Sequence, residues 1–349
     1  MKILLVSDAW FPQVNGVVRT LNTVIGELRA MGHEVETITP DLFRTVPCPT
    51  YPEIRLACWP FFRVPAMIEA ARPDAIHIAT EGPLGMTARR YCVRNNLPFT
   101  TAYHTRFPEY VQPRLGVPVA WTYRVMRHFH GKSAGVMVAT KSIRADLEAR
   151  GFDNIKDWSR GVDTELFRPQ AKDAIDGATP IARPVFMFVG RVAVEKNLPA
   201  FLELDLPGSK VVVGDGPDME MLKRKFPDTV FVGAKKGEEL ARHYAAADVF
   251  VFPSRTDTFG LVMLEALASG VPVAAFPVPG PLDVIASEKV GVLSEDLRAA
   301  TLKALELKPE DCRAYALGFS WRACAEQFLG NLATLDAEAA FGPAERRAA

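Results

Sequence analysis

The chain has 349 residues, enough for two domains with separate hydrophobic cores. Hydrophobic residues make up 48% of it and charged residues 23%, which is ordinary for a globular protein. Its 41 basic and 41 acidic residues cancel, and this zero net charge argues against general nucleic-acid binding. The five cysteines form no C-x-x-C pair, so we expect reduced thiols and a cytoplasmic protein. The sequence has no apolar run of 18 residues, so no segment is predicted to span a membrane.

Short apolar runs alternate with helical patterns through the first half of the chain. Predicted strands cover residues 2–6, 34–39, 75–80, 99–103, 134–139 and 155–159. Predicted helices cover residues 16–31, 83–94, 106–132 and 141–150, the third of them interrupted by prolines. Alternation of this kind is typical of a doubly wound parallel sheet. Residues 41–65 have weak periodicity, and no element is predicted there.

The second half repeats this alternation after residues 167–183, a segment with several prolines and charges that we interpret as an interdomain linker. Predicted strands cover residues 185–189, 210–213, 229–232, 248–252, 271–276 and 290–293. Helices are predicted at 217–225, 237–246 and 259–269, and over most of the chain from 297 to 340. The sequence therefore predicts two α/β domains.

The most informative stretch is residues 253–270, which follows a buried strand and contains a predicted helix. The first turn of that helix lies at the carboxyl edge of a parallel sheet, where open α/β sheets bind ligands. The N–H groups of a first turn lack partners within the helix and carry the positive end of its dipole. We therefore expect a phosphate at the backbone of Phe259, Gly260, Leu261 and Val262.

Two carboxylates, Asp257 and Glu265, flank this helix start and can face one cleft. Acidic groups repel a diphosphate, so they are better suited to binding the hydroxyls of a sugar and of ribose. The alternative is that Asp257 caps the helix and Glu265 is solvated. Glu265 stands among apolar residues, where a solvated side chain is less natural.

Two cations lie near another predicted strand end. Arg191 follows a strand, and Lys196 lies five residues later at the predicted start of a helix. Together they can bind one diphosphate with its charge roughly balanced and without a metal. The chain has no D-x-D motif and no metal-spaced His or Cys set, so we expect no metal and no other cofactor. The alternative is two solvated cations, but a lysine at a helix start opposes the dipole, which favours a ligand.

On these residues the chain resembles the retaining GT-B glycosyltransferases of glycosyltransferase family 4. Asp257 and Glu265 match the family's acid-x7-acid signature, and residues 190–197 match its G-R-x4-K-N diphosphate clamp. The family usually has glutamate at the first acid, and the shorter Asp257 leaves the donor sugar open. The resemblance implies an α/β fold of two Rossmann-like domains facing a cleft. It places an acceptor domain at 1–166, a linker at 167–183, a nucleotide-sugar domain at 184–320, and a crossover helix and tail on the first domain at 321–349.

The resemblance also assigns roles to two residues of the first domain whose local patterns are ambiguous. Gly16 would close over the donor phosphate, although it could equally be a simple turn residue after Asn15. His104, at the end of a strand, would contact the transferred sugar or help as charge moves in the transition state. A lone histidine is more often structural, so the resemblance is what makes His104 a candidate.

In the second domain the resemblance adds candidates for nucleotide binding. Gly214 and Asp215 would line the nucleotide pocket, besides forming a tight turn that caps the next helix. The backbone of Val232 and Gly233 would hold the base. No residue stands out as a covalent nucleophile, which fits the front-face mechanism generally proposed for the family. In that mechanism the leaving diphosphate takes the acceptor's proton, and the protein stabilises charge on the diphosphate.

Two stretches of the first domain mix aromatic residues with cations, a composition that suits a surface binding anionic lipid. The candidates for acceptor or membrane contact are Trp59, Phe62, Thr105, Arg106, Trp121, Arg124 and Arg127. The alternative is that the aromatic side chains belong to the core and the cations are merely solvated.

The leading interpretation is a hexosyltransferase that moves a sugar from a UDP- or GDP-sugar to a membrane lipid such as diacylglycerol or a glycolipid precursor. It would work at the inner face of the cytoplasmic membrane. The same chemistry on a soluble glycan or small molecule stays open. A sugar-binding receptor would need a signal peptide and no paired cations, and a sugar-nucleotide epimerase would release epimerised donor without an acceptor.

Overall fold

The computed structural model describes residues 1–13, 15–48, 51–104, 118–172 and 181–342. The chain divides into two compact units. The first unit is Met1–Ser159 with the segment that begins at Arg322, and the second unit is Arg160–Trp321. The first unit thus gives way to the second after residue 159, not at the predicted residue 166.

The boundary is earlier because the residues that follow it are bound within the second unit. Arg313 donates hydrogen bonds to the carbonyl oxygens of Thr164 at 2.9 Å and Phe167 at 2.8 Å. The Phe167 ring is buried against Tyr244, with ring centroids 5.6 Å apart. The prolines and charges that predicted a linker begin only after this anchored stretch, so composition alone placed the boundary too late.

Strands of the first unit form a parallel sheet and a separate hairpin. In chain order they are β1 (Lys2–Val6), β2 (Glu34–Ile38), β3 (Thr45–Cys48), β4 (Tyr51–Ala57), β5 (Ala75–Ile78), β6 (Thr100–Tyr103), β7 (Gly135–Val138) and β8 (Ile155–Asp157). The described sheet has the order β2-β1-β5-β6-β7-β8. Its central strands are short apolar runs because both faces are covered, and β5 through β7 are fully buried.

Helices cover this sheet and bury their apolar faces against it. They are α1 (Gly16–Ala30), α2 (Pro60–Ala71), α3 (Pro83–Arg94), α4 (Val119–His130) and α5 (Lys141–Ala149), with a 3-10 turn at Pro40–Leu42. The predicted strands and helices at these places are confirmed within a few residues, except that the predicted helix at 106–132 is described only from residue 118 and begins at Val119.

Residues 41–65 contain structure that their sequence did not reveal. Strands β3 and β4 pair antiparallel, and the N–H of Cys58 donates to the carbonyl oxygen of Arg44 at 2.8 Å, which closes the base of the hairpin. The start of α2 follows immediately. A two-stranded hairpin outside the main sheet has little buried surface of its own, so no apolar pattern marks it.

The second unit repeats the parallel architecture. Its strands are β9 (Val185–Val189), β10 (Ser209–Val213), β11 (Val230–Gly233), β12 (Val249–Phe252), β13 (Val273–Ala275) and β14 (Gly291–Leu293). The order among the described residues is β11-β10-β9-β12-β13-β14. Its helices are α6 (Pro199–Leu202), α7 (Met219–Lys225), α8 (Gly237–Ala246), α9 (Leu261–Ala268), α10 (Pro281–Val284), α11 (Leu297–Ala304) and α12 (Pro309–Ala316).

The C-terminal segment belongs to the first unit. It forms α13 (Trp321–Asn331) and α14 (Ala337–Phe341). Phe328 of α13 packs against the rings of His77 and Trp158, at centroid distances of 4.8 and 5.0 Å. The Lys156 ammonium also donates to the carbonyl oxygen of Asn331 at 2.9 Å. These contacts fix α13 to the sheet of the first unit.

Candidate active site

Lys196 and Asp257 meet at the carboxyl edge of the second unit's sheet. Lys196 follows β9 and Asp257 follows β12, and these strands are neighbours in the sheet. The Lys196 Nζ lies 2.5 Å from Oδ1 of Asp257, and the two side chains are 20% and 17% exposed. The structure therefore brings together one predicted cation and one predicted acid, and both stay within reach of solvent.

The second predicted cation also has an acid beside it. Nη1 of Arg191 lies 3.9 Å from Oε1 of Glu195, a carboxylate that the sequence analysis did not consider. Two cations and two carboxylates thus share this edge, so its positive charge is smaller than that of the two predicted cations alone. A diphosphate would enter a site whose cations are already partly neutralised.

The predicted helix start at Lys196 is also wrong. Lys196 ends a 3-10 turn at Val194–Lys196, and Asn197 then takes the left-handed conformation with φ 54°. The next helix, α6, has only four residues. Because Lys196 lies at the end of a turn rather than at a helix start, the dipole penalty inferred from the sequence does not apply.

Side-chain hydrogen bonds hold the loops after β9 and β12 together. The Asn197 amide donates to the carbonyl oxygen of Pro253 at 3.1 Å. The Ser254 hydroxyl donates to the carbonyl oxygen of Glu195 at 3.3 Å. These bonds fix the position of Lys196 relative to Asp257, so their contact is built into the backbone.

The start of α9 is shaped by a glycine. Gly260 occupies the N-cap position with φ 86°, and the described residues provide no side-chain cap there. A Cβ at Gly260 would lie 2.8 Å from Met263 Cε and 3.1 Å from Phe252 Cζ. The proposed alternative of Asp257 as the cap is therefore wrong. Phe259 is buried, whereas Leu261 and Val262 are half-buried.

The second oxygen of Asp257 is a buried acceptor. Oδ2 has no hydrogen-bond partner among the residues that the structure describes. A buried carboxylate oxygen without a donor is unfavourable, so this atom is a candidate acceptor for a ligand. A hydroxyl group is a suitable donor.

Glu265 lies one turn into α9 and is only 2% exposed. Its Oε2 accepts a hydrogen bond from the hydroxyl of Tyr244 at 2.8 Å. The alternative of a solvated Glu265 is therefore wrong. Glu265 is a buried carboxylate with a defined orientation, and Tyr244 is a partner that no sequence pattern marked.

The remaining second-unit candidates differ in their packing. The backbones of Gly214 and Gly190 touch, since a Cβ on Gly214 would lie 1.8 Å from the Gly190 carbonyl oxygen. Asp215 is exposed, and its carboxylate accepts from the next N–H, that of Gly216, at 2.7 Å. The predicted cap is not formed there, because Asp218 is the N-cap of α7.

Val232 and Gly233 lie at the end of β11 as predicted. Val232 is half-buried, and Gly233 has φ 76° with open space around the position of a Cβ. The backbone at this strand end is therefore accessible on its side-chain face, which leaves room for a ligand group.

In the first unit, Gly16 and His104 both follow parallel strands. Gly16 is the exposed first residue of α1, and the Asn15 side chain caps the helix by accepting from the Val18 N–H at 3.0 Å. His104 is half-buried and packs edge-on against Trp158, with ring centroids 5.6 Å apart.

A further carboxylate, Asp8, follows β1 at the carboxyl edge of the first unit's sheet. Its oxygens accept from the N–H groups of Leu84 at 2.8 Å and Gly85 at 3.1 Å, and from the Thr80 hydroxyl at 3.1 Å. Asp8 thus occupies the start of α3. Burial raises the pKa of Asp8 to about 6, even though these hydrogen bonds act in the opposite direction.

The described candidates on the predicted acceptor surface are exposed. Trp59 and Phe62 at the start of α2 are 82% and 88% exposed. Trp121 of α4 is exposed too, with the Arg124 guanidinium 5.7 Å from its ring. Arg127 is exposed as well, and it donates to the carbonyl oxygen of Arg150 at 3.2 Å.

The alternative of a core role holds for three other residues of this stretch, which α4 buries: Tyr123, Met126 and Phe129. Thr105 and Arg106 lie outside the described residues. Among the residues that are described, no cluster of three His, Cys, Asp or Glu side chains is placed to hold a metal. Within the same part of the chain, no helix is both long and apolar enough to cross a membrane.

Comparison with known proteins places these features in one family. Residues 14–166 match the glycosyltransferase family 4 model, and residues 183–307 match the glycosyl transferases group 1 model. A GDP-mannose-dependent alpha-mannosyltransferase of Mycobacterium tuberculosis is 30% identical over 365 residues, covering 95% of this chain and 96% of the relative. An alpha-monoglucosyldiacylglycerol synthase of Streptococcus pneumoniae is 28% identical over 353 residues, covering 89% of this chain and 79% of the relative.

Among solved structures, sucrose-phosphate synthase from Thermosynechococcus elongatus superposes with a TM-score of 0.74 at 22% identity, covering 94% of this chain and 97% of that one. The predicted α/β class with two Rossmann-like parallel-sheet domains of the GT-B type is confirmed. The chain belongs to glycosyltransferase family 4. It is a hexosyltransferase that uses a nucleotide sugar.

Proposed function

We propose that this enzyme moves a hexose, with retention of configuration, from a nucleoside diphosphate to a hydroxyl group of a membrane lipid. The contact between Lys196 and Asp257 beside the start of α9 carries the donor part of the proposal. It sets a cation suited to a diphosphate next to a carboxylate suited to sugar hydroxyls. The Oδ2 atom of Asp257, which has no donor among the described residues, adds to this support.

In the proposed reaction the bond between the sugar C1 and the diphosphate oxygen breaks as the acceptor oxygen bonds to C1 on the same face. The acceptor proton passes to the leaving diphosphate. Arg191 and Lys196 stabilise the charge that develops on this leaving group, with the N–H groups at the start of α9. From the family resemblance, we assign His104 to the transferred sugar and Gly16 to the donor phosphate.

The side chains supply positive charge where a metal could otherwise be needed, so metal independence is part of the proposal. Turnover should be the same in EDTA as in added Mg²⁺. Loss of turnover in EDTA that Mg²⁺ restores would contradict this part of the proposal.

The donor can be identified by a thermal-shift screen, because a ligand that binds the folded state raises stability by mass action. The relative named as GDP-mannose-dependent makes GDP-mannose the first compound to test, followed by UDP sugars. We expect one sugar nucleotide to raise the melting temperature more than its sugar-free nucleoside diphosphate does. Equal shifts by all of them would argue against a defined donor.

The lipid part of the proposal is supported by the distribution of exposed aromatic side chains. Among the described residues, the largely exposed Phe and Trp side chains lie in the first unit: Phe11, Trp59, Phe61, Phe62 and Trp121. Three of them flank the buried Pro60 at the start of α2. Aromatic side chains that project together suit the interfacial region of a bilayer. The diacylglycerol in the name of one relative agrees with such an acceptor.

Co-sedimentation with anionic phosphatidylglycerol vesicles tests this surface. We expect the wild-type enzyme to bind and the double variant Trp59→Ala, Phe62→Ala to lose most of its binding. Met221→Ala removes an exposed apolar side chain of the second unit and serves as the control. The lipid acceptor would be contradicted if wild-type enzyme stayed in the supernatant and glycosylated a water-soluble acceptor. The acceptor would then be a soluble glycan or small molecule.

A further inference from the structure

Tyr244 is a buried polar residue next to the candidate donor site. It lies on α8, is fully buried, and donates its hydroxyl hydrogen to Oε2 of Glu265 at 2.8 Å. Glu265 is itself almost fully buried. The ring accounts for the packing of this position in the core, so the hydroxyl is the part that needs an explanation.

The ring of Tyr244 is held on two sides. Phe167 packs edge-on at a centroid distance of 5.6 Å, and Phe250 of β12 lies at 5.8 Å. Helical side chains lean toward the start of their own helix, and α8 starts after the carboxyl end of β11. The hydroxyl of Tyr244 is therefore directed toward the ligand-binding edge of the sheet.

A hydroxyl group adds little if the position only has to fill volume, because phenylalanine would pack in the same space. The hydroxyl instead fixes one oxygen of a buried carboxylate. A hydrogen bond to one oxygen limits rotation of the carboxylate plane and so helps to set the direction in which the carboxylate faces. This is what a residue needs if it must present one acceptor to a ligand hydroxyl at a set angle.

We propose that Tyr244 is a positioning residue that orients the Glu265 carboxylate toward hydroxyl groups of the sugar nucleotide. The inference rests on the proposed function, since Glu265 must contact the donor for its orientation to matter. Tyr244 itself touches Glu265 and acts through it.

Tyr244→Phe tests the inference because it removes the hydroxyl and keeps the ring. Binding of GDP, UDP, their mannose and glucose derivatives, and inorganic pyrophosphate is measured by calorimetric titration. We expect the affinity for the preferred sugar nucleotide to fall about fivefold, the size of one hydrogen bond, while pyrophosphate binding stays within about twofold. In turnover assays the donor KM should rise with little change in kcat.

Tyr315→Phe is the matched control. The Tyr315 hydroxyl also donates one hydrogen bond in the second unit, to the carbonyl oxygen of Val284 at 2.8 Å. Both variants lose one hydroxyl and keep the ring, and the fall in melting temperature should be larger for Tyr244→Phe, because its partner is a buried carboxylate. Only Tyr244→Phe should change the ratio of sugar-nucleotide to pyrophosphate affinity. An unchanged ratio in Tyr244→Phe, whether both affinities fall together or neither falls, overturns the inference.

Glu265→Gln separates this inference from the proposed function and does not depend on how Tyr244→Phe folds. Glu265→Gln should weaken sugar-nucleotide binding, and adding Tyr244→Phe to it should have no further effect on the affinity ratio. If Glu265→Gln weakens binding and Tyr244→Phe does not, only the positioning role fails. If Glu265→Gln leaves binding unchanged, Glu265 does not contact the donor and the positioning role of Tyr244 fails, while the proposed transfer still stands on Lys196 and Asp257.

Discussion

The N-terminal ends of α3 and α9 have equivalent places in their units but different occupants. Each helix follows a strand of a parallel sheet, so each starts at a carboxyl edge. At α3, the buried carboxylate of Asp8 accepts from the N–H groups of Leu84 and Gly85. At α9, Gly260 takes the cap position, and the described residues offer no capping side chain.

The difference shows that a helix start at the same place in two similar sheets can have a structural role in one unit and a proposed ligand-binding role in the other. The start of α3 is already occupied by an acid of the chain, and this makes it a structural contact. At the start of α9 no described side chain takes that place, so it suits the donor phosphate that we propose there, with Lys196 paired to Asp257 just before the helix. The comparison therefore supports donor phosphate binding in the second unit.

The largest predicted effect concerns the protonation of Asp8. Its folded-state pKa of about 6 lies above the ordinary value of about 3.9, so folding is favoured by the protonated form. The resulting stability is complete below about pH 4 and is lost as the pH rises through 6. Relative to Asp8→Asn, we expect the wild-type free energy of unfolding to fall by about 2.5 kcal/mol between pH 4 and pH 8.

Urea unfolding of both proteins across this pH range measures the effect. Asp41→Asn, which changes an exposed aspartate of the same unit, is the control. If the difference in free energy of unfolding between wild type and Asp8→Asn stayed constant with pH, the raised pKa of Asp8 would be contradicted.

The next effect tests how closely Asp8 is packed. A Cβ on Gly82 would lie 2.4 Å from Cγ of Asp8, so Gly82→Ala must displace the carboxylate from the start of α3. We expect a loss of about 2 kcal/mol in the free energy of unfolding. Gly26→Ala in α1, where nothing lies within 4 Å of the new methyl group, should instead be neutral or stabilising. Equal stability of the two variants would contradict the close packing.

A smaller effect on stability, with a selective effect on binding, is expected at α9. Gly260→Ala places a side chain at φ 86° and should destabilise the protein by about 1–2 kcal/mol. Gly237→Ala at φ 53°, in open space, should cost a similar amount and serves as the control. Only Gly260→Ala should weaken pyrophosphate binding in calorimetric titration. Equal binding by the two variants would remove the start of α9 from the phosphate site.

The sequence predicted the features that depend on local patterns. Short apolar runs predicted the strands of both parallel sheets. Apolar residues and glycines within residues 253–270 predicted the loop and the helix there. The motif around Lys196 was predicted too, but its backbone was not. A helix was expected where hydrogen bonds to Pro253 and from Ser254 stabilise a 3-10 turn instead.

What the sequence could not predict depends on partners distant along the chain. Asp8 is followed by 75 residues before its backbone donor Leu84, and Tyr244 is 21 residues from Glu265. Neither pair has a spacing that a strand or helix period would mark. Glu195 could have been noticed, because it lies four residues after Arg191.

Calorimetric titration with a nucleoside diphosphate tests the central claim most directly. The same titration is carried out on wild type, Lys196→Ala and Lys225→Ala. Lys225 is an exposed lysine of the same unit that is paired with Glu203 at 2.8 Å. Because Lys196→Ala removes a charged contact to the diphosphate, this variant should bind the nucleoside diphosphate at least about tenfold more weakly than wild type. The affinity of Lys225→Ala should be unchanged. Equal affinity of all three proteins would contradict a diphosphate site at Lys196.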